Sequence, residues 1–347
     1  MRVRPHLWSL WHIWRESLHV WAEWRTAIRS AISARRSRNV NFIGEVEEAI
    51  SAADAAVIVV SGKSGVEAGT EKAWELCEKY KLPRMIYVTG MDADNASFKN
   101  VVEKLTEMYG KKIAPFHFPI RENEKFVGYV NVVSETGNRW KGKEVEACEI
   151  PDYSKDNLSL YKDTLMEAVA ETSEEFMERY FGGETFTENE IRAALRTNVI
   201  DSSIVPISMG SSLLCQGTYT LLDDIVKYMP SPENRQIAGF NMKTNEVFEA
   251  NFDFSKAKSA YVFKTIVDPF IGKYSLIKVC SGVFKSDDVI YNKDKDVEEK
   301  VNKLYILQGS KPVEISELHA GDIGAIAKLT AARTGNTLST KATVIEY

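Results

Sequence analysis

Hydrophobic and polar positions along the chain indicate a repeated unit of one strand and one helix. Residues 52–60 form an almost continuous apolar run, which is typical of a parallel strand buried on both faces. Residues 66–81 follow, with Ala73, Leu76 and Cys77 on one predicted helix face and charged residues on the other. Two further strand and helix pairs occur at 84–88 with 96–109 and at 204–208 with 219–228. This alternation predicts an α/β domain with a parallel sheet.

A segment at about 118–197 interrupts the alternation between the second and third pairs. Within it, residues 127–133 predict a strand, and residues 158–180 predict one long amphipathic helix. Thr187 and Glu190 have the spacing of a capping box and predict the start of another helix. The segment is therefore interpreted as a subdomain inserted into the α/β domain.

After Pro232 the helical pattern stops and short strand-like segments follow. Sequences that form turns, such as 286–288 and 321–322, separate these segments. The predicted strands are 259–267, 274–281, 301–307, 324–329 and 341–345. A succession of such strands predicts an all-β barrel at 250–347.

The composition is that of an ordinary globular protein. The chain has 347 residues, of which 27% are charged and 44% hydrophobic, and this length is sufficient for two or three compact domains. The four cysteines lie far apart and form no C-x-x-C pair, which favours reduced thiols in the cytoplasm over disulfides or zinc. His117 and His319 lie in apolar surroundings, where histidine is more often structural than a ligand, so no metal site is predicted.

The first 40 residues differ in composition from the rest of the chain. They contain five of the seven tryptophans, eight arginines, no lysine and two acidic residues, which gives a net charge of +6. Since the whole chain carries −5, subtracting +6 leaves −11 for residues 41–347. Two different compositions are therefore joined in one chain.

Three interpretations of this N-terminal segment are open. Trp8, Trp11 and Trp14 recur at three-residue spacing among arginines, as in an amphipathic helix on a membrane surface, although the charged residues do not collect on one face. An organellar transit peptide is also rich in arginine and poor in acids, but it is not rich in tryptophan. The third interpretation is translation in the wrong reading frame.

The genetic code supports the third interpretation. With the frame shifted back by one base, the junction of Trp21 and Ala22 must encode glycine. In that frame, residues 19–33 permit the string R-M-G-R-V-E-D-G-N-T-V-S-D-F, and residues 3–14 permit G-K-T-T-L. Residues 1 to about 38 are therefore interpreted as frameshifted, within an atypical segment 1–40.

Two short polar motifs follow predicted strands of the parallel sheet. Thr89-Gly90-Met91-Asp92 follows the second strand, and Gly210-Ser211-Ser212 follows the third. Ligands of such sheets bind beyond the carboxyl ends of the strands. An isolated aspartate after a strand is more often a turn or N-cap residue, so the motif alone leaves both roles open.

These motifs resemble the elongation factor G family of translational GTPases. There the first position reads N-K-x-D, whose aspartate accepts two N–H bonds from guanine, and the second reads G-S-A, whose backbone contacts the base. The resemblance implies that the guanine end of GTP is bound by Thr89, Met91, Asp92, Ser211 and Ser212. Thr89 and Gly90 depart from the family's asparagine and lysine, and this departure implies weaker binding of guanine.

The resemblance extends over most of the chain after Asn41. Residues 42–50 resemble the helix after the family's D-T-P-G switch segment, and the insertion resembles the family's extra subdomain. The segments 268–273, 281–282, 320–323 and 334–338 resemble the family's second domain, a β-barrel that contacts ribosomal RNA. The implied organisation is a remnant of a P-loop-NTPase-like GTP-binding domain at 41–232 and a translation-factor barrel at 250–347, with the chain ending before the family's later domains.

Gly62-Lys63-Ser64 mimics the end of a Walker A phosphate-binding loop. A complete loop reads G-x-x-x-x-G-K-[ST], but position 57 is Val57 rather than glycine. The tripeptide also stands where the family has a turn between a strand and a helix. It is therefore predicted to form that turn without binding phosphate.

The resemblance implies a GTPase of ribosomal translocation that uses GTP and Mg²⁺, acts as a cytoplasmic monomer, and binds the ribosome rather than DNA or a membrane. Asn39, Val40 and Asn41 stand where the family's D-x-x-G switch belongs. No catalytic or magnesium-binding residue can be named in frame, so the chain is predicted to be defective in GTP hydrolysis. The alternatives are a non-enzymatic ribosome-binding module, a ribosome-protection-type paralogue, and a membrane-associated protein.

Overall fold

The computed structural model describes residues 43–142, 144–268, 272–308 and 311–347. The frameshift, membrane-helix and transit-peptide interpretations of residues 1–40 fall outside these ranges, as do residues 269–271 of the family-like segment 268–273. The described residues form two compact units. Unit 1 comprises Ala55–Glu75 and Leu82–Met229, and unit 2 comprises residues 43–54, Leu76–Lys81 and Pro230–Tyr347.

The helices and strands are numbered in chain order within the described ranges. The α-helices are α1 Ile43–Ala52, α2 Ala68–Lys79, α3 Phe98–Tyr109, α4 Asp152–Ala170, α5 Glu174–Phe181, α6 Glu188–Ile200 and α7 Thr218–Tyr228. The strands of unit 1 are β1 Ala56–Ser61, β2 Arg84–Thr89, β3 Ile113–Pro115, β4 His117–Glu122, β5 Lys125–Asn131, β6 Thr136–Lys141, β7 Glu144–Cys148 and β8 Val205–Met209. Those of unit 2 are β9 Ala238–Asn241, β10 Glu246–Glu249, β11 Ser259–Asp268, β12 Gly272–Ser281, β13 Val283–Lys285, β14 Val289–Asn292, β15 Val297–Lys300, β16 Leu304–Gln308, β17 Lys311–Ile315, β18 Glu317–His319, β19 Ile323–Ala327, β20 Thr337–Ser339 and β21 Ile345–Glu346.

The predicted parallel sheet is confirmed in unit 1, with the strand order β1-β2-β8-β3. The start of the first strand was predicted too early. Ala52 ends α1, in which Val46 and Ile50 are buried at helical spacing, and the strand begins at Ala56. Within the described residues β1 pairs only with β2 and is therefore an edge strand of this sheet.

The inserted segment forms an antiparallel sheet of β4, β5, β6 and β7, followed by α4, α5 and α6. The prediction of one long helix at 158–180 is wrong, because α4 ends at Ala170 and α5 begins at Glu174. The Ser173 hydroxyl caps the new helix by accepting a hydrogen bond from the Phe176 N–H at 3.2 Å. The predicted capping box of Thr187 and Glu190 is confirmed at the start of α6.

Unit 2 is a β-rich fold, as predicted for the C-terminal region. Its largest sheet has eight antiparallel strands in the order β15-β14-β20-β11-β12-β19-β16-β17. Val262, Ile277, Val279 and Leu338 belong to a core in which these side chains are fully buried. The predicted strand 341–345 is wrong for most of its length, because Thr343 donates to the carbonyl of Thr340 in a turn and only Ile345–Glu346 is extended.

Candidate functional site

The loops that follow β2 and β8 lie side by side, because parallel strands end at the same edge of the sheet. The Gly210 N–H donates to the Val88 carbonyl at 2.9 Å, and the Met91 N–H donates to the Gly210 carbonyl at 3.1 Å. The turn after β1 joins this edge through the Gly62 N–H, which donates to the Thr89 carbonyl at 2.8 Å. Backbone hydrogen bonds therefore hold both predicted motifs in one place.

The two motifs also meet through side chains. The Thr89 hydroxyl donates to the Ser212 hydroxyl at 3.2 Å, although the two residues lie 123 positions apart in sequence. Thr89 is half-buried and Ser212 is exposed. Thr89 stands where the family has an asparagine, and its hydroxyl is engaged by this hydrogen bond to Ser212.

Asp92 presents a buried acceptor at this edge. Its Oδ1 atom is inaccessible to solvent and has no hydrogen-bond partner among the described residues. Asp92 is not the cap of α3, because Ser97 holds that position and accepts a hydrogen bond from the Asn100 N–H at 3.2 Å. A buried carboxylate oxygen without a partner is costly to fold, so stability does not explain an aspartate at this position.

Met91 belongs to the framework of the loop. Its side chain is fully buried, and its carbonyl accepts a hydrogen bond from Arg121 Nη2 at 2.7 Å. Arg121 Nη1 also donates to the Glu124 carbonyl at 2.8 Å, and partial burial lowers the pKa of the Arg121 guanidinium. Sequence analysis missed Arg121, since no motif or spacing connects it with a loop 30 residues away.

Ser211 and Ser212 differ in their surroundings. Ser211 is buried, and its hydroxyl accepts a hydrogen bond from the Leu214 N–H at 3.1 Å. The backbone N–H of Ser211 donates to the Gln216 carbonyl at 2.8 Å, which closes a small loop that leaves Ser212 exposed. Gly210 must be glycine here, because a Cβ atom would lie 2.4 Å from the Gln216 carbonyl oxygen and 2.2 Å from the Tyr87 hydroxyl oxygen.

The Walker-like tripeptide lies in the turn between β1 and α2. The backbone N–H groups of Lys63 and Ser64 donate to the Ser61 hydroxyl at 3.3 and 3.1 Å, and the Gly65 N–H donates to the Ser61 carbonyl at 2.8 Å. A phosphate-binding loop turns such N–H groups toward the ligand instead. The local geometry is therefore that of a self-contained turn.

Neither a cluster of metal ligands nor a membrane-spanning helix occurs among the described residues. No group of three or more His, Cys, Asp or Glu side chains in ranges 43–142, 144–268, 272–308 and 311–347 could hold a metal ion. In the same ranges no helix is both long enough and apolar enough to cross a membrane.

Comparison with known proteins gives two family matches and places this chain among similar solved structures. Residues 39–231, more than half of the chain, match the family described as "Elongation factor Tu GTP binding domain", and residues 257–341 match "Elongation factor G domain 2". A crystal structure from Thermus thermophilus is similar with a TM-score of 0.74 and 28% sequence identity. The match covers 87% of this chain and 43% of that one, so the chain spans less than half the length of its solved relative.

Proposed function

Because the chain belongs to the family of the elongation factor Tu GTP-binding domain and residues 257–341 match elongation factor G domain 2, we propose that it binds guanine nucleotides weakly and does not hydrolyse GTP. In this proposal Asp92 reads the base, and Thr89, Met91, Ser211 and Ser212 form the loops around it. The proposed partner is the ribosome in the cytoplasm.

The unpartnered Oδ1 atom of Asp92 is the observation that carries the proposal. Guanine presents two adjacent donors, the N1–H and the exocyclic N2 amino group. An ionised carboxylate has two acceptor oxygens and no donor, so it matches this pair of donors. Adenine has an unprotonated N1 acceptor at the corresponding place, and the carboxylate would repel it.

Weak affinity is proposed because two supports of the base differ from the family. The Thr89 hydroxyl donates its hydrogen bond to Ser212. Gly90 has no side chain to cover the face of the base. A Cβ atom at Gly90 would meet nothing within 4 Å, so the space above the loop is open. A base that remains exposed on one face loses the stabilisation that apolar burial supplies.

Loss of hydrolysis is proposed from the residues that the family reaction requires. Phosphoryl transfer depends on backbone amides and a lysine on the phosphates, on Mg²⁺, and on a residue that orients the attacking water. Asn39, Val40 and Asn41 stand in the switch position, and the N–H groups of Lys63 and Ser64 bond to Ser61. The amino-acid sequence as translated offers no residues that can be assigned to binding the phosphates, binding Mg²⁺ or orienting the water.

The base specificity is tested with the Asp92→Asn variant and fluorescent nucleotides. The asparagine keeps one acceptor oxygen but places an N–H donor opposite the guanine N2 amino group, so one charge-assisted hydrogen bond worth about 1.5–3 kcal/mol is lost and affinity for GDP should fall at least about tenfold. Xanthine carries an oxygen where guanine carries the N2 amino group, and the asparagine amide can donate to it. The variant should therefore prefer xanthosine diphosphate to GDP.

The matched control is Asp94→Asn, an exposed aspartate two positions further along the loop. This variant should bind GDP as the unchanged protein does. If Asp92→Asn leaves GDP affinity unchanged, or if both variants weaken it equally, Asp92 is not the base-reading residue.

Hydrolysis is tested by phosphate release from GTP, with and without ribosomes. The expected result is no release above that of ribosomes alone. Turnover stimulated by ribosomes would overturn this part of the proposal and leave the assignment of Asp92 untouched.

The match of residues 257–341 to the second domain of elongation factor G favours one further candidate, a ribosome-binding module that acts without catalysis. Co-sedimentation with ribosomes distinguishes the candidates. Binding that is equal with GDP, with a non-hydrolysable GTP analogue and without nucleotide would favour the module or a ribosome-protection-type paralogue. Binding that requires nucleotide would favour a GTPase-like switch.

A further inference from the structure

A buried polar cluster lies beneath the loop that follows β8. It consists of Tyr87 on β2, His117 on β4, Ser208 on β8 and Asp224 on α7, each less than a tenth exposed. His117 Nδ1 lies 3.0 Å from the Ser208 hydroxyl oxygen and 3.2 Å from Asp224 Oδ2. The Ser208 hydroxyl donates to the same Asp224 oxygen. Since the Ser208 hydroxyl donates to Asp224, the arrangement fits the tautomer whose proton is on His117 Nδ1 and faces both oxygens.

The cluster contains a serine, a histidine and an aspartate, but it is not arranged for hydrolysis. In a catalytic triad the serine and the carboxylate bond to opposite nitrogens of the imidazole, so that a proton can pass from the serine to the histidine. Here both oxygens face Nδ1, and the Ser208 hydroxyl is fully buried. The cluster therefore holds Asp224 in place rather than activating a nucleophile.

The Tyr87 hydroxyl is the unusual member of the cluster. It is buried, and it has no hydrogen-bond partner among the described residues. Burial, followed by the negative charge of Asp224, raises the pKa of Tyr87, so the hydroxyl keeps its proton. A buried donor without a partner destabilises a fold, and phenylalanine would avoid that cost, so stability does not explain a tyrosine at this position.

The position of this hydroxyl indicates a different role. It lies 2.2 Å from the place a Cβ atom would take on Gly210 and 3.2 Å from the corresponding place on Gly217. These two glycines begin and end the loop that carries Ser211 and Ser212. The oxygen therefore packs closely against the backbone at both ends of the loop.

We propose that Tyr87 is a positioning residue for the guanine-end loop: its hydroxyl is a spacer that sets Gly210 and Gly217, and thereby Ser211 and Ser212, for a guanine nucleoside diphosphate. Ser208, His117 and Asp224 form a hydrogen-bonded cluster near this residue, and the charge of Asp224 acts on Tyr87. This inference rests on the proposed function.

The test is the Tyr87→Phe variant, measured for stability and for binding of fluorescent GDP. Removal of an unpartnered buried hydroxyl should leave the urea midpoint unchanged or raise it. GDP affinity should nevertheless fall by about tenfold, because the loop loses its spacer. A residue with a merely structural role would move both quantities in the same direction.

Two further variants sharpen the result. Tyr228→Phe removes the hydroxyl of another buried tyrosine, whose ring packs edge-on against Phe116, and it should not change GDP affinity. Ser208→Ala removes the donor to Asp224 and should lower both stability and affinity. If Tyr87→Phe binds GDP as tightly as the unchanged protein, the inference is wrong and the proposed function stands.

Hydrogen exchange decides the case in which the unchanged protein itself binds no GDP. That result would contradict the proposed function, yet the positioning role predicts faster exchange of the Gln216 amide in Tyr87→Phe, since this amide donates to the Ser211 carbonyl at 3.1 Å. Equal exchange in the two proteins would overturn the positioning role.

Discussion

At the scale of single residues, the loop after β2 depends on a side chain from a distant strand. Arg121 supplies hydrogen bonds to the carbonyls of Met91 and Glu124 and is only partly exposed. Sequence analysis proposed Asp92 as a candidate because a motif surrounds it. It could not identify Arg121 or the buried partners of Tyr87, because such contacts depend on how the chain folds back and leave no local pattern.

We expect Arg121→Met to destabilise unit 1 and to weaken nucleotide binding. The methionine fills similar space but donates no hydrogen bond, and a buried carbonyl left without a partner costs about 1–3 kcal/mol. Urea unfolding and titration with fluorescent GDP measure the two effects. The control is Arg139→Met on β6, whose exposed ion pair with Glu122 should contribute little. If the two variants have equal effects, Arg121 has no special role in the loop.

At the scale of elements, the helices and strands that could be predicted from the sequence are those in which the pattern of apolar and polar residues extends over the whole element. The strand β2 and the helices α3 and α7 were predicted within two residues of their observed bounds, because apolar side chains recur along their whole length. The break between α4 and α5 was missed, since both helices are amphipathic and one serine caps the second. Strands of three or four residues, such as β13 and β20, are too short to show alternation.

The capping box of α6 should respond to pH. Hydrogen bonds from Arg179, and then from the backbone N–H and hydroxyl of Thr187, lower the pKa of Glu190 from its ordinary 4.5 to about 2. Because the pKa in the folded state is depressed, the stabilisation is complete above about pH 4.5 and disappears as the pH falls through about 2. In acid, the start of helix α6 should therefore open before the buried side chains of the helix become exposed.

Hydrogen exchange of the Ile191 amide, which donates to the Thr187 carbonyl, measures this loosening. In Glu190→Gln the exchange should lose its dependence on pH below 4.5, after correction for the intrinsic rate. Thr187→Ala should cost about 1 kcal/mol at neutral pH, the usual value for an N-cap. A pH dependence that persists in Glu190→Gln would assign the effect to another carboxylate.

At the scale of the whole molecule, unit 2 encloses an ion pair between residues far apart in sequence. Lys278 on β12 donates to Asp54 Oδ2 at 2.7 Å and to the Gly321 carbonyl at 2.9 Å, and both charged side chains are almost completely buried. Burial lowers the pKa of Lys278, and the negative charge of Asp54 opposes this shift. Taking both charges out of water costs nearly as much as their attraction returns, so the pair adds little net stability but is costly to break.

This reasoning predicts opposite results for single and double replacements. Asp54→Ala leaves the Lys278 ammonium buried without its counter-ion and should destabilise unit 2 by about 3–5 kcal/mol. Asp54→Leu combined with Lys278→Met removes the two fully buried charges, leaves the partly exposed Arg235 that lies 3.8 Å from Asp54 Oδ1, and should recover most of that loss. Lys303→Met is the control, because its ion pair with Glu314 is more than half exposed.

The stability of unit 2 is measured by hydrogen exchange, because residues 230–347 contain no tryptophan for fluorescence. The probe is the Val279 amide, which donates to the Asp322 carbonyl at 3.0 Å. A double variant as unstable as Asp54→Ala would show that the pair itself stabilises the fold.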